Sequence, residues 1–229
     1  MIKKSDCSIL IISKDEKDNL VELDFINKCK KYSDDVIFVD GRSKDGSLEY
    51  AQTLADRVLT DNGKGKGAAI RYAVPYAKNN IVIFIDADGS HDPDDIPRIV
   101  QPIVDDEYDH VGGSRTTEGS DEYFGSLEKF MRVTGSHIIL LLINYRFKVH
   151  LSDSQNGFRA IKKSVFNNLD LKENKTTIEQ EMIIKSLRKG YRVGEVPAHE
   201  YSRLYGHSKI SLIRDSFKYV YSAIKYSFF

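Results

Sequence analysis

Cysteine is scarce, and neither sign of charge prevails. The chain has two cysteines, Cys7 and Cys29, in 229 residues. Both lie in apolar runs without a CxxC partner, which argues against a disulfide framework or a cysteine-held metal. They read as small core residues kept reduced, as in a cytosolic protein. Lysine plus arginine number 34, and so do aspartate plus glutamate, for a formal net charge of zero. A global basic field is therefore missing, and no nucleic-acid partner is expected. Long hydrophobic runs are missing too. The longest, Ile138 to Ile143, falls far short of the roughly 20 residues that a membrane span needs. Met1-Ile2-Lys3-Lys4 leads into polar Ser5-Asp6, so no signal-peptide core is expected at the amino terminus. There is no internal repeat, low-complexity tract or proline-rich linker. One domain over residues 1–210 is expected. Residues 211–229 form an amphipathic helix that belongs to that domain or contacts a membrane or a partner.

What is present alternates. Cys7 to Ile12, Val36 to Val39, Arg57 to Leu59, Ile81 to Ile85, His110 to Gly112 and Tyr191 to Val196 read as strands. Between them, Asp15 to Tyr32, Ser47 to Leu54, Gly67 to Ala77 and Asp94 to Val104 carry helical spacing. Phe124 to Tyr145, Thr177 to Lys189 and Ser211 to Phe229 read as later helices. Strand–helix alternation with near-continuous apolar strands predicts an α/β fold. Its central sheet is mostly parallel, flanked by helices, and a C-terminal amphipathic helix follows. Ligands of such sheets bind beyond the carboxyl ends of the strands.

That rule selects the chemistry. Asp86-Ala87-Asp88 follows the most apolar strand, and two carboxylates one residue apart can offer oxygen to Mg²⁺ or Mn²⁺. A solvated acidic turn is the plainer alternative for the pair taken alone. Asp40-Gly41-Arg42-Ser43-Lys44-Asp45-Gly46-Ser47 is a strand-to-helix turn in which Asp40 can accept from a base or a ribose. Lys64-Gly65-Lys66-Gly67 enters a helix, as a phosphate or nucleotide loop does, without the Walker spacing. Asp153, ahead of Gly157-Phe158, is a candidate general base or an Asx-turn residue. Glu179-Gln180-Glu181 lies on a helix and precedes Glu195-Val196-Pro197. Arg203-Leu204-Tyr205-Gly206-His207-Ser208-Lys209 has the basic residues and the glycine of an anion-binding loop.

In this order and spacing the motifs resemble the inverting glycosyltransferases of family 2, with the nucleotide-sugar-binding fold called GT-A. The resemblance spans about residues 7 to 210. It is strongest for the dolichyl- and polyprenyl-phosphate sugar transferase branch. The resemblance implies that Glu16, Asp40, Lys66, Asp86, Ala87, Asp88 and Arg203 bind the nucleotide-sugar. It implies that Asp88, with Asp86, holds the metal, and that Asp153 and Asp88 are the catalytic pair. Arg115, Arg132, Ser208 and Lys209 would face acceptor or phosphate groups. The family's P-x-Y-N-E after the first strand reads Ser13-Lys14-Asp15-Glu16 here. The acid is kept, the proline and the aromatic are lost, and the base-recognition wall is altered.

The implied activity is metal-dependent inverting transfer from a UDP- or GDP-sugar to a polyprenyl or dolichyl phosphate, in the cytoplasm or peripherally at the cytoplasmic face of a membrane. A glycan hydroxyl is the alternative acceptor, and a homo-oligomer is left open. The apolar helices from Phe130 and from Ser211 carry Arg132, Arg146, Lys148, Arg214, Lys218 and Lys225. Such helices either lie in a membrane interface or pack on the core. Three other classes compete. A haloacid-dehalogenase-like phosphatase would use Asp86-Ala87-Asp88-Gly89-Ser90, with Asp86 as nucleophile. A nucleotidyltransferase would want a glycine in Ser13 to Asn19, and there is none. A non-catalytic sugar-nucleotide-binding protein finds support only in the altered Ser13 to Glu16 stretch.

Overall fold

The structure is a computed structural model. It describes residues 2–121, 127–206 and 212–228, with side chains except at 127–132 and 212–216. β1 (Cys7–Ser13) leads to α1 (Lys17–Glu22) and α2 (Phe25–Lys30), then to β2 (Val36–Asp40) and α3 (Ser47–Gln52). β3 (Arg57–Thr60), α4 (Lys66–Ala73) and β4 (Ile81–Asp86) follow, then α5 (Ile96–Val104) and β5 (His110–Ser114). The second half runs through α6 (Arg115–Glu118), α7 (Leu127–Phe147), β6 (Arg159–Lys162) and α8 (Lys163–Asn168). It ends with α9 (Ile178–Arg188), β7 (Val193–Pro197) and α10 (Leu212–Phe228).

The seven strands form one sheet in the order β3-β2-β1-β4-β6-β5-β7. Every pairing is parallel except those of β6, which runs antiparallel to β4 and to β5. Alternate residues of the apolar strands feed two cores, as a period of two dictates. Ile9, Ile11, Phe38, Ile83 and Ile85 meet Leu20, Phe25, Ile26, Cys29, Ile99 and Val100 on one face. Leu10, Ile37, Val39, Val82, Phe84 and Ile161 meet Ile70, Val74, Val165, Phe166, Ile178 and Met182 on the other. Both cysteines are buried and free. Burial pushes the Cys7 thiol up to about 12, which suits inert core residues.

Two expectations change. The helix expected over Asp15 to Tyr32 is two short ones, because Asp24 takes a left-handed backbone (φ 48°) that ends the first ladder. The segment from Arg159 to Asn168, not assigned from the sequence, supplies β6 and α8. The C-terminal helix packs inward with one face. Ala223 and Tyr226 join Ile139, Ile143 and Ile184 in a third cluster. Its other face leaves Phe217, Tyr221, Ile224 and Phe228 exposed, as are Ile138, Leu141 and Tyr145 of α7. Among the described residues, no helix is long and apolar enough to cross a membrane.

Candidate active site

β1, β2 and β4 end side by side, with Ser13 opposite Asp40 and Ile12 opposite Asp86. A cleft of about 540 Å³ opens beyond these ends. Its walls include Lys14, Glu16, Gly41, Asp61, Gly63 and Lys66, then Asp86, Ala87, Asp88 and Arg203. Gln155, Gly157, Thr176, Glu179, Lys218 and Tyr219 line it as well.

Glu16 is placed by backbone donors of its own loop. Asp15, Glu16 and Lys17 donate N–H groups to Ser43 Oγ (2.9 Å), Ser47 Oγ (3.0 Å) and Asp45 Oδ2 (2.8 Å). The polar turn after β2 therefore holds the loop after β1. Glu16 Oε2 in turn accepts from Asn19 Nδ2 (2.7 Å). Asp40 sits differently from expectation. It is buried, and its oxygens accept from Arg42 N (2.9 Å) and Ser43 N (3.2 Å). Neighbouring Gly41, not Asp40, is among the described residues lining the cleft. The N-terminus of α4 is also spoken for. Gly67 N (3.0 Å) and Ala68 N (3.3 Å) donate to the Asn174 carbonyl, so that carbonyl occupies the expected phosphate position. Gly65 can let this carbonyl approach because it lacks a side chain and holds φ 119°; a Cβ there would lie 2.7 Å from Asn174 O.

The acidic pair faces the cleft with a cation on each member. Lys66 Nζ lies 2.6 Å from Asp86 Oδ2 and 2.8 Å from Glu179 Oε1. Burial alone would lower the Lys66 ammonium; the two carboxylates outweigh it and hold its pKa up. Arg203 Nη2 lies 2.6 Å from Asp88 Oδ2, while Asp88 Oδ1 accepts from Ser90 N (3.1 Å) and Ser90 Oγ (2.6 Å). Burial would raise the Asp88 carboxyl, but Arg203 and Ser90 bring the net shift below the usual range. Arg203 arrives on a strap after β7. Tyr201 N donates to Ser90 O (2.9 Å), and Tyr205 N to Asn19 Oδ1 (3.2 Å), so the strap bridges the loops after β4 and β1.

Asp153 is clamped instead of poised. Arg115 Nε and Nη2 meet its two oxygens at 2.6 and 3.0 Å, and Arg115 Nη1 reaches Glu200 Oε1 at 3.2 Å. Burial pushes the Asp153 carboxyl up, and the guanidinium more than reverses this. Asp153 is not among the described residues lining the cleft. Glu195 fixes its backbone, accepting from Ser152 N (2.6 Å), Ser152 Oγ (2.7 Å) and Asp153 N (2.7 Å). The side chain of Arg132, and Ser208 and Lys209, lie outside the described residues.

The donor set fits a divalent cation. Asp86 and Asp88 stand one residue apart, line the cleft, and each carries a counter-cation that an incoming ion can replace. Among the described residues no cluster of three or more histidine, cysteine or acidic ligands stands ready to cage a metal. One or two carboxylates completed by substrate phosphates is the usual Mg²⁺ arrangement. Two contributors had not been assigned a role from the sequence. Glu179 sits in α9, far along the chain from Lys66. His91, buried and stacked on Phe158 at 5.4 Å, lines the cleft; burial pushes its pKa down. Glu179 belongs to the acidic Glu179-Gln180-Glu181 run noted in the sequence, and tertiary contact alone shows that it meets Lys66 and that His91 reaches the cleft.

Known proteins similar to this chain include glycosyltransferases. A glycosyltransferase named AglJ from Haloferax volcanii is 30% identical over 182 residues, 79% of this chain and 58% of that protein. The chain thus spans less than two thirds of that relative. A dolichyl-phosphate hexose transferase from the same organism is 27% identical over 71% of this chain and 68% of its own. Among solved structures, glucosyl-3-phosphoglycerate synthase from Mycobacterium tuberculosis, in complex with Mn²⁺, UDP and glucosyl-3-phosphoglycerate, superposes with a TM-score of 0.75. The match covers 97% of this chain and 80% of that one at 16% identity, and it establishes the GT-A fold. The phosphatase expectation is set aside. Its nucleophile motif normally follows the first strand of the chain, whereas Asp86 ends the fourth, and the family match points elsewhere. The model for glycosyl transferase family 2 matches residues 8–170, and the chain belongs to that family of glycosyltransferases.

Proposed function

We propose that this protein transfers a hexose from a UDP- or GDP-sugar to the phosphate of a polyprenyl or dolichyl lipid, with inversion and with Mg²⁺ or Mn²⁺. The observation that carries the choice of acceptor is the two-point clamp of Arg115 on Asp153. A sugar hydroxyl must lose a proton as it attacks, so it needs a free base. Asp153 is enclosed, ion-paired and held below the usual carboxylate range, which makes it a weak one. A phosphate oxygen is already anionic and needs no base. In the proposed step that oxygen forms the new bond to the anomeric carbon, the bond to the diphosphate breaks, and the diphosphate leaves with the electron pair.

Each part of the cleft then has a task. Glu16 and the Gly41 turn flank the nucleoside. Arg203 exchanges Asp88 for the diphosphate, and Asp86 with Asp88 would hold the cation. When bound, that cation supplies charge neutralisation for the departing diphosphate. Behind the lining residue Glu200, which Arg115 also meets, Asp153 keeps the Arg115 guanidinium oriented, and Arg115 holds the acceptor phosphate. The name of the dolichyl-phosphate hexose transferase relative supports the same acceptor. The exposed apolar side chains of α7 and α10 support a lipid nearby.

A donor screen tests this reading. UDP- and GDP-sugars are incubated with Mn²⁺ or Mg²⁺, with and without a polyprenyl phosphate, and nucleotide release is followed. Metal-dependent release that rises with the lipid phosphate is expected for one donor class. Asp88→Ala is expected to cut it by on the order of a hundredfold or more, since Asp88 serves the leaving group. Release that ignores the metal, or that Asp88→Ala leaves intact, contradicts the reading.

A further inference from the structure

Glu179 has no assigned role, yet it sits in the cleft against the residues that do. It projects from α9, is 3% exposed, and places Oε1 2.8 Å from the Lys66 ammonium. Among the described residues, its other oxygen, Oε2, is buried without a hydrogen-bond partner. A buried carboxylate oxygen left unpaired costs free energy, and such groups in a binding cleft mark where a ligand's donors arrive. Gly157 adds a second sign that the corner is kept open. A Cβ there would lie 2.6 Å from Lys66 Nζ and 2.7 Å from Asp86 Oδ2. Asp86, Lys66 and Glu179 thus form one row, carboxylate–ammonium–carboxylate, with a net charge of minus one.

Glu179 lines the same cleft as the acidic pair, together with Gln155, Thr176 and Thr177. Resting on the glycosyl-transfer reading, we propose that Lys66 and Glu179 form the subsite for the hydroxyls of the transferred sugar and select an uncharged hexose over a uronic acid. Vicinal hydroxyls match this row. They donate to Glu179 Oε2 and accept from Lys66, so the unmet oxygen finds a partner. The carboxylate of a uronic acid has no proton to give the unpaired Glu179 Oε2 and meets a like charge there in a buried corner, so it is rejected by repulsion.

The test is calorimetric, with the full chain and Mn²⁺. The ligands are UDP, UDP-glucose, UDP-galactose and UDP-glucuronic acid, then GDP, GDP-mannose and GDP-mannuronic acid. Whichever free diphosphate binds identifies the series to read. Within it, a hexose conjugate is expected to bind at least about tenfold more tightly than the uronic acid conjugate. Glu179→Gln is expected to shrink that ratio to within about threefold while free diphosphate binding stays within about threefold. A uronic acid conjugate that binds wild type as tightly as the hexoses overturns the proposal, and this arm needs no variant. So does a ratio that Glu179→Gln leaves unchanged. An equal loss of free diphosphate binding would make Glu179 a mere support for Lys66. Should neither UDP nor GDP bind wild type, the glycosyl-transfer reading itself fails, and the subsite with it.

Discussion

At the scale of single residues, the site is organised by pairs of opposite charge, each with one member to give up. Lys66 can leave Asp86 and remain on Glu179; Arg203 can leave Asp88 and follow its strap. Asp153 has no such freedom, because Arg115 meets both of its oxygens. Space is as sharply defined as charge. Gly157→Ala would set a methyl 2.6 Å from Lys66 Nζ. The pair must then separate, and affinity for a Mn²⁺-diphosphate is expected to fall on the order of tenfold, with a stability loss of about 1–3 kcal/mol. Calorimetry with UDP or GDP reads the first and urea unfolding the second; unchanged affinity would contradict the placement. Much of this level was legible in the sequence. Glu16, Lys66, Asp86, Asp88 and Arg203 all reach the cleft. Asp40 shows why the rest was not. An aspartate in a turn can serve a ligand or its own backbone, and only the fold reveals that Arg42 and Ser43 take its oxygens here.

At the scale of elements, buried carboxylates hold the loops that shape the cleft. Glu181 is fully buried in α9 and accepts from Lys172 N (2.8 Å) and Glu173 N (2.8 Å), with Lys185 Nζ 2.7 Å away. It fixes the loop whose Asn174 carbonyl caps α4 and so sets Lys66. Glu181→Ala strands two backbone donors and a lysine, and is expected to cost about 3 kcal/mol in urea unfolding. A loss below about 1 kcal/mol would show that the loop holds itself. The elements most legible in the sequence were the long apolar strands and the helices with full periods. β6 was not. It has four residues, begins with a buried arginine and passes directly into α8, so neither period has room to declare itself. The break within residues 15–32 was hidden for a different reason. Helical spacing continues across Asp24, and only the backbone shows the turn.

At the scale of the whole molecule, one sheet carries the site, and its far edge is pinned by charge. Asp109 accepts from Arg192 Nε (3.2 Å) and Lys162 Nζ (2.8 Å), which ties the starts of β5 and β7 to the end of β6. The Arg192 hydrogen bonds first, with Lys162, hold the Asp109 carboxyl well below the usual range. A depressed folded pKa means that this stabilisation is full above the unfolded value, about 3.9, and is lost as the pH falls below it. The urea midpoint is therefore expected to drop as the pH falls below about 4, towards pH 2, and Asp109→Asn should flatten that drop. An equal drop in the variant would assign acid lability elsewhere.

The acceptor distinguishes the proposed reaction from other glycosyl transfers. Its most direct test is the linkage in the product formed from the active donor, Mn²⁺ and a polyprenyl phosphate, read by phosphorus NMR and mass spectrometry. The account predicts a glycosyl phosphodiester of inverted anomeric configuration. A glycoside on a hydroxyl, or a retained configuration, would contradict it.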